Sequence, residues 1–118
     1  MDASLPKIDI PKGVNGKPKK PLGVLWYENP DDFKKMQEGC SDFTQEDYET
    51  WKAAADDALQ AEGQAKVSVP VNPELFFKWC ELNAIVANNA ARQRFVHDLV
   101  DATFGDALKA WKKSKKKR

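Results

Sequence analysis

The stretch Val67–Asn83, VSVPVNPELFFKWCELN, constrains the fold of this chain more than any other. Val67, Val69 and Val71 alternate with Ser68 and Pro70, so a pleated strand places three β-branched side chains on one face. Pro70 lacks the N–H that a central strand would use, which predicts an edge strand. Asn72 can accept the free N–H groups of a following helix. Pro73 fits the first helical position, because the donor it lacks has no partner there. Along that helix Leu75, Phe76, Phe77, Trp79, Cys80 and Leu82 fill most of the circumference, leaving Glu74, Lys78 and Glu81 as a narrow polar strip. The pattern predicts a central helix, with Phe76, Trp79 and Cys80 almost completely buried against both longer helices.

The same start occurs 43 residues earlier. GVLWYE at 23–28 reads as a strand, and Asn29-Pro30-Asp31-Asp32-Phe33 repeats the pattern Asn72-Pro73-Glu74-Leu75-Phe76, with an acidic residue in the first turn. The first short helix is expected to end near Gly39. Thr44, with Asp47 three residues on, then caps a longer helix whose inward stripe is Tyr48, Trp51, Ala55, Ala58 and Leu59. After the second short helix, Asn88 or Asn89 caps a fourth, carrying Ala91, Phe95, Val96, Leu99, Val100 and Ala102 inward, and Gly105 stops it. The expected fold is α+β: two β-α-α units, 23–63 and 65–104, in one domain spanning 23–105. If a pseudo-twofold axis relates the units, the two strands pair antiparallel and the four helices cover one face of the sheet. Asn-Pro is also a common way to begin a helix, so the repeat stays open. A two-stranded sheet is marginal unless helices or a second protomer cover it, which makes a homodimer through a strand edge an expected arrangement.

A chain of 118 residues suffices for a single core. Four Trp, two Tyr and six Phe are too many for a disordered chain, and no apolar run reaches the roughly 20 residues of a membrane span. MDASLPKIDIPKG carries no secretory signal, so a soluble, cytoplasmic protein with Cys40 and Cys80 as free thiols is expected. The net charge of +1 hides a separation: +3 over residues 1–22, −9 over 23–108 and +7 over 109–118. Residues 1–22 hold four of the seven prolines and no aromatic, and read as a disordered arm. Residues 106–118 read as a basic tail, helical at its start where Asp106 can cap it.

The order Trp26-Tyr27, Tyr48-Glu49-x-Trp51, the valine strand, Phe76-x-x-Trp79-Cys80 and Ala91-Arg92-x-x-Phe95 resembles a group of small, uncharacterised bacterial proteins of unknown function, over about residues 24–96. The resemblance implies a bacterial, cytoplasmic setting and brings no activity with it.

Candidate chemistry is sparse. His97 with Asp101 one turn later could orient an imidazole, but no nucleophile or second ligand accompanies it, and a solvated helix face is preferred. The spacing of the two cysteines and the histidine matches no zinc module, and no phosphate loop or nucleophile elbow is present. No enzyme function, metal or cofactor is assigned. Arg92 falls inside the apolar arc of Phe95, Val96 and Leu99. A structural ion pair, with Glu28 or Glu49 as partner, is preferred over an anion-binding arginine. The aromatics neighbour Glu28, Glu46, Asp47 and Glu49 rather than cations, so the folded body makes a poor nucleic-acid surface. Lys112, Lys113, Lys115, Lys116, Lys117 and Arg118 form the candidate nucleic-acid tail, where counterion release would give weak, nonspecific, salt-sensitive binding. The preferred expectation is a non-catalytic protein-interaction module with an acidic body and basic tails, its protein partner unknown and no membrane contact. The alternatives are a nucleic-acid accessory protein acting through its tails, and a small ligand-binding or enzyme domain with a site near Arg92 and His97.

Overall fold

Asn-Pro starts two helices of equal length. In the computed structural model, which describes residues 8–116, Asn29 Oδ1 accepts from Asp32 N–H (2.9 Å) at the start of α1, Pro30–Gly39. Asn72 Oδ1 accepts from Leu75 N–H (3.1 Å) at the start of α3, Pro73–Leu82. Strand β1, Leu22–Trp26, precedes the first and β2, Lys66–Pro70, the second. The longer helices are α2, Tyr48–Gln60, and α4, Asn89–Lys116. The fold is therefore α+β, four α-helices around a two-stranded sheet among the described residues.

The strands are parallel, not antiparallel, in the register Leu22↔Lys66 through Trp26↔Pro70. The crossover through α1 and α2 returns the chain to the end of the sheet where β1 began, as parallel pairing requires. An axis along the strands relates two parallel strands, whereas the expected antiparallel pair needs an axis across them. The helices also do not share one face. Gly23 turns toward α4, so closely that a Cβ there would lie 2.8 Å from both Val96 and Val100. On the other pleat face Trp26 meets Trp51 of α2, with ring centroids 5.6 Å apart.

The buried side chains form one hydrophobic cluster. Tyr27, fully buried, packs edge-on against Phe33 and Phe43 and tilted against Trp51. Val69, Val71, Phe76, Val96 and Val100 belong to the same cluster. Helix α3 packs against α1 and α4. Phe76 and Cys80 are buried as expected, but Trp79 is half-buried on the rim against Phe95, and Leu82 is exposed. The polar strip of α3 is thus wider than the wheel suggested, since no element covers its far end. Gly39 allows the ring of Phe77 to lie over the end of α1, where a Cβ would come within 2.2 Å of it.

Several boundaries differ from expectation. Asp47, not Thr44, caps α2 by accepting from Thr50 N–H (2.8 Å), while Thr44 Oγ1 closes a turn onto Glu46 N–H. Asn88 caps α4 through Ala91 N–H (3.0 Å). Gly105 does not stop that helix, which continues to Lys116 with Asp106 inside it. A stopping glycine adopts positive φ, and Gly105 does not; in helical conformation it costs only about 1 kcal/mol relative to Ala, among good helix formers on both sides.

The arm expected to be disordered over 1–22 lies partly outside the described residues; from Ile8 onward it packs. Ile8 is buried in the core, and Lys12 bridges Pro18 around a turn at Val14–Gly16. Trp111 of α4 donates its indole N–H to Asn15 C=O (3.2 Å), which ties the arm to the end of that helix.

Candidate functional site

Pleating decides which backbone groups the sheet leaves open. Leu22 N–H donates to Ala65 C=O and Val71 N–H to Trp26 C=O, so Leu22, Val24 and Trp26 turn their polar groups toward β2. By alternation Gly23, Leu25 and Tyr27 turn theirs outward. No described residue forms a strand along that side. On β2 the outward residues are Lys66, Ser68 and Pro70. Pro70 offers no N–H, and the Lys66 ammonium folds onto the carbonyls of Ala61 and Gln64, two features that discourage strand addition.

The open edge of β1 forms the floor of a groove of about 460 Å³ between α2 and α4. Trp51, Ala54 and Ala55 line one wall, and Asn89, Arg92 and Gln93 the other. Glu46 stands in the lining and makes no ion pair among the described residues. Beyond Gly23 and Gln93 the groove continues into a second hollow, of about 430 Å³, whose charged lining is Lys20, Arg94 and His97. At the other end Tyr48 O–H donates to Tyr27 C=O (2.9 Å) and occupies the last outward carbonyl.

Arg92 is only 5% exposed and forms an internal ion pair, with a partner that the sequence did not suggest. Its Nη1 donates to Asp42 Oδ1 (3.0 Å), and its guanidinium lies 5.0 Å from the centroid of Phe43. Asp42 Oδ2 accepts from Asn89 N–H (2.8 Å), so one carboxylate holds both the α4 N-terminus and the arginine near it. These bonds, that from Asn89 first, hold the Asp42 pKa below its ordinary value. Asp42 lies fifty residues from Arg92, in a loop with no periodic signal. Glu28 and Glu49, the expected partners, are exposed.

His97 is exposed, its Nδ1 3.3 Å from Asp101 Oδ2, and Asp101 also pairs with Lys20. The Lys20 bond, more than His97, lowers the Asp101 pKa. Arg92 and His97 thus open on adjoining stretches of the groove without converging, because each is engaged by a different aspartate. Cys40 and Cys80 are buried free thiols whose pKa values burial pushes up. Among the described residues no three His, Cys, Asp or Glu side chains gather as a metal ion would need.

Lys112, Lys113 and Lys115 project from the last turns of α4 into solvent. Lys116 ends the helix, and Lys117 and Arg118 lie outside the described residues. Lys115 and Lys17 lie 5.2 and 5.8 Å from the Trp111 ring centroid, so the basic arm and the basic helix end meet around one indole. No helix of the described residues is long and apolar enough to cross a membrane. Comparison with protein-family models, curated proteins and solved structures finds no match to this chain.

Proposed function

We propose that the protein is a non-catalytic interaction module that takes an extended segment of a protein partner as an added strand on β1. One observation carries the reading: Gly23 and Leu25 turn their N–H and C=O groups into an open groove walled by α2 and α4. Main-chain bonds to such an edge supply affinity, and the walls select alternate side chains. Apolar residues of the entering segment meet Trp51, Ala54 and Ala55, and polar ones meet Asn89 and Gln93. The non-catalytic character rests on the engagement of Arg92 by Asp42 and of His97 by Asp101. Hydrogen exchange at the Gly23 and Leu25 amides tests the reading: a synthetic peptide of alternating valines slows both, and the same peptide interrupted by proline does not. Unchanged exchange with both peptides contradicts it.

A second reading, nucleic-acid contact through the tails, is favoured by the cations gathered at Trp111, an arrangement that suits stacking of an unpaired base. Its signature is single-strand binding that weakens steeply with salt and is lost in Trp111→Ala. The two β-α-α units are read as an internal repeat on the strength of the matched caps and equal lengths of α1 and α3 alone. The bacterial setting rests on the resemblance of the aromatic order alone.

A further inference from the structure

Resting on that strand-docking reading, we propose that the segment seated on β1 runs parallel to it and is an internal stretch of a protein partner with acidic residues just ahead of its apolar ones. The free groups of β1 select the direction. A ligand residue beside Leu22, Val24 or Trp26 in a parallel strand reaches the outward groups on either side of it. Beside Leu22 it bonds Pro21 C=O and Gly23 N–H, beside Val24 the Gly23 C=O and Leu25 N–H, and beside Trp26 the Leu25 C=O and Tyr27 N–H. This ladder uses neither of the groups that the edge lacks: the N–H that Pro21 does not have, and the Tyr27 C=O that Tyr48 O–H already occupies. An antiparallel ligand of the same span needs both, because a residue opposite Pro21 or Tyr27 exchanges two bonds with it. One ligand C=O and one ligand N–H then go unmatched. Parallel pairing is slightly weaker per residue, a smaller deficit than an unmatched donor and acceptor inside a groove.

The walls fit the same arrangement. Parallel sheets are found with both faces covered, and here α4 covers the face to which Gly23 turns and α2 the face to which Trp26 turns. A lone extended segment continues the sheet between them. The β1 edge of a second folded copy would not, since its own α4 would meet this one before the strands came into pairing distance. Ligand residues in the rows of Val24 and Trp26 face Trp51, Ala54 and Ala55, and those in the rows of Gly23 and Leu25 face Asn89 and Gln93. Arg92 also lines this stretch, but Asp42 and the ring of Phe43 engage its guanidinium. Charge then places the flank. Lys20, Arg94 and His97 line the hollow at the start of β1 with no carboxylate among them, since Asp98 and Asp101, which pair with them, stand outside the lining. Glu46 lies in the lining of the other stretch, two residues before the Tyr48 that closes it. A parallel ligand therefore sets its N-terminal side over the bases and its C-terminal side toward Glu46. Acidic residues belong ahead of the apolar run, and a free terminal ammonium or carboxylate suits neither end.

A nitroxide-labelled peptide on the full chain reads the direction. A capped peptide of alternating valines and serines preceded by two aspartates, labelled at its N-terminal end, is expected to broaden the amide signals of Lys20 and Arg94 more than those of Glu46 and Tyr48. The reverse order, or no difference, overturns the parallel direction. The same residues with the aspartates moved to the C-terminal end are expected to bind about tenfold more weakly, and Lys20→Gln with Arg94→Gln to remove that preference, circular dichroism reporting that the variant is folded. Equal affinity of the two peptides for the unmodified chain overturns the acidic flank. Exchange at the Gly23 and Leu25 amides separates the proposal from the reading beneath it. If either peptide slows both amides while the label or the affinities go the wrong way, strand docking stands and its direction or flank is wrong; if neither peptide slows them, both fall.

Discussion

The two β-α-α units begin alike and end unlike. Their first helices, α1 and α3, start with the same Asn-Pro cap and have the same length, yet β2 turns Lys66, Ser68 and Pro70 toward its free edge while β1 turns Gly23 and Leu25. One edge is closed to further pairing and the other is open between two helices. An unprotected edge is an aggregation hazard, and a chain that guards one edge and leaves the second open has the chemistry of a docking strand. Equal helices and unequal edges therefore separate what holds the fold from what the fold presents.

Matched substitutions break or sharpen that comparison. The largest effect is expected at the helix phenylalanines: Phe76→Ala and Phe33→Ala, both essentially buried, each cost about 3–5 kcal/mol in urea unfolding. A much smaller loss for one of them would mean that the two units do not share the core equally. Next comes Gly23→Ala, about 1–3 kcal/mol from overpacking against Val96 and Val100. Val67, the register partner of Gly23 on β2, already carries a β-branched side chain in that row, so the close approach to α4 belongs to β1. Unchanged stability of Gly23→Ala would mean that α4 sits further from the sheet. Asn29→Ala and Asn72→Ala should each cost about 1 kcal/mol, the ordinary loss of a cap; a difference between them larger than the loss itself would end the equivalence of the units.

The smallest expected effect is on pH dependence. Asp42 has a depressed pKa in the folded state, so its contribution is complete above its ordinary value of 3.8 and is lost as pH falls through the lower folded value. Asp42→Asn should flatten the acid limb of the stability curve and leave its shape near neutrality unchanged. An acid limb identical to that of the unmodified chain would show that Arg92 and Asn89 do not depend on this carboxylate.

Much of the second unit was legible because its signals are local: valine alternation, a proline that bars a central strand, and a cap set by two adjacent residues. Phe76, Val96 and Val100 were readable as core from spacing alone. Features set by distant partners were not. Strand direction depends on how the α1–α2 crossover lies, and Arg92 finds Asp42 through a loop that shows no period. Gly105 reads as a stop in sequence, but a glycine ends a helix only where the backbone turns left-handed, and here α4 continues to meet the arm through Trp111 and Asn15. The open edge itself was anticipated only in outline; its parity, which selects Gly23 and Leu25, follows from the parallel register and could not be drawn from an antiparallel one.

The central claim is that β1, not β2, is the pairing edge, and site-resolved amide exchange during titration with the alternating-valine peptide tests it most directly. Exchange at Gly23 and Leu25 should slow as the peptide is added, while Lys66 and Ser68 on the opposite edge stay fast. Slowing at Lys66 and Ser68, or equally fast exchange at all four amides throughout, would contradict the account.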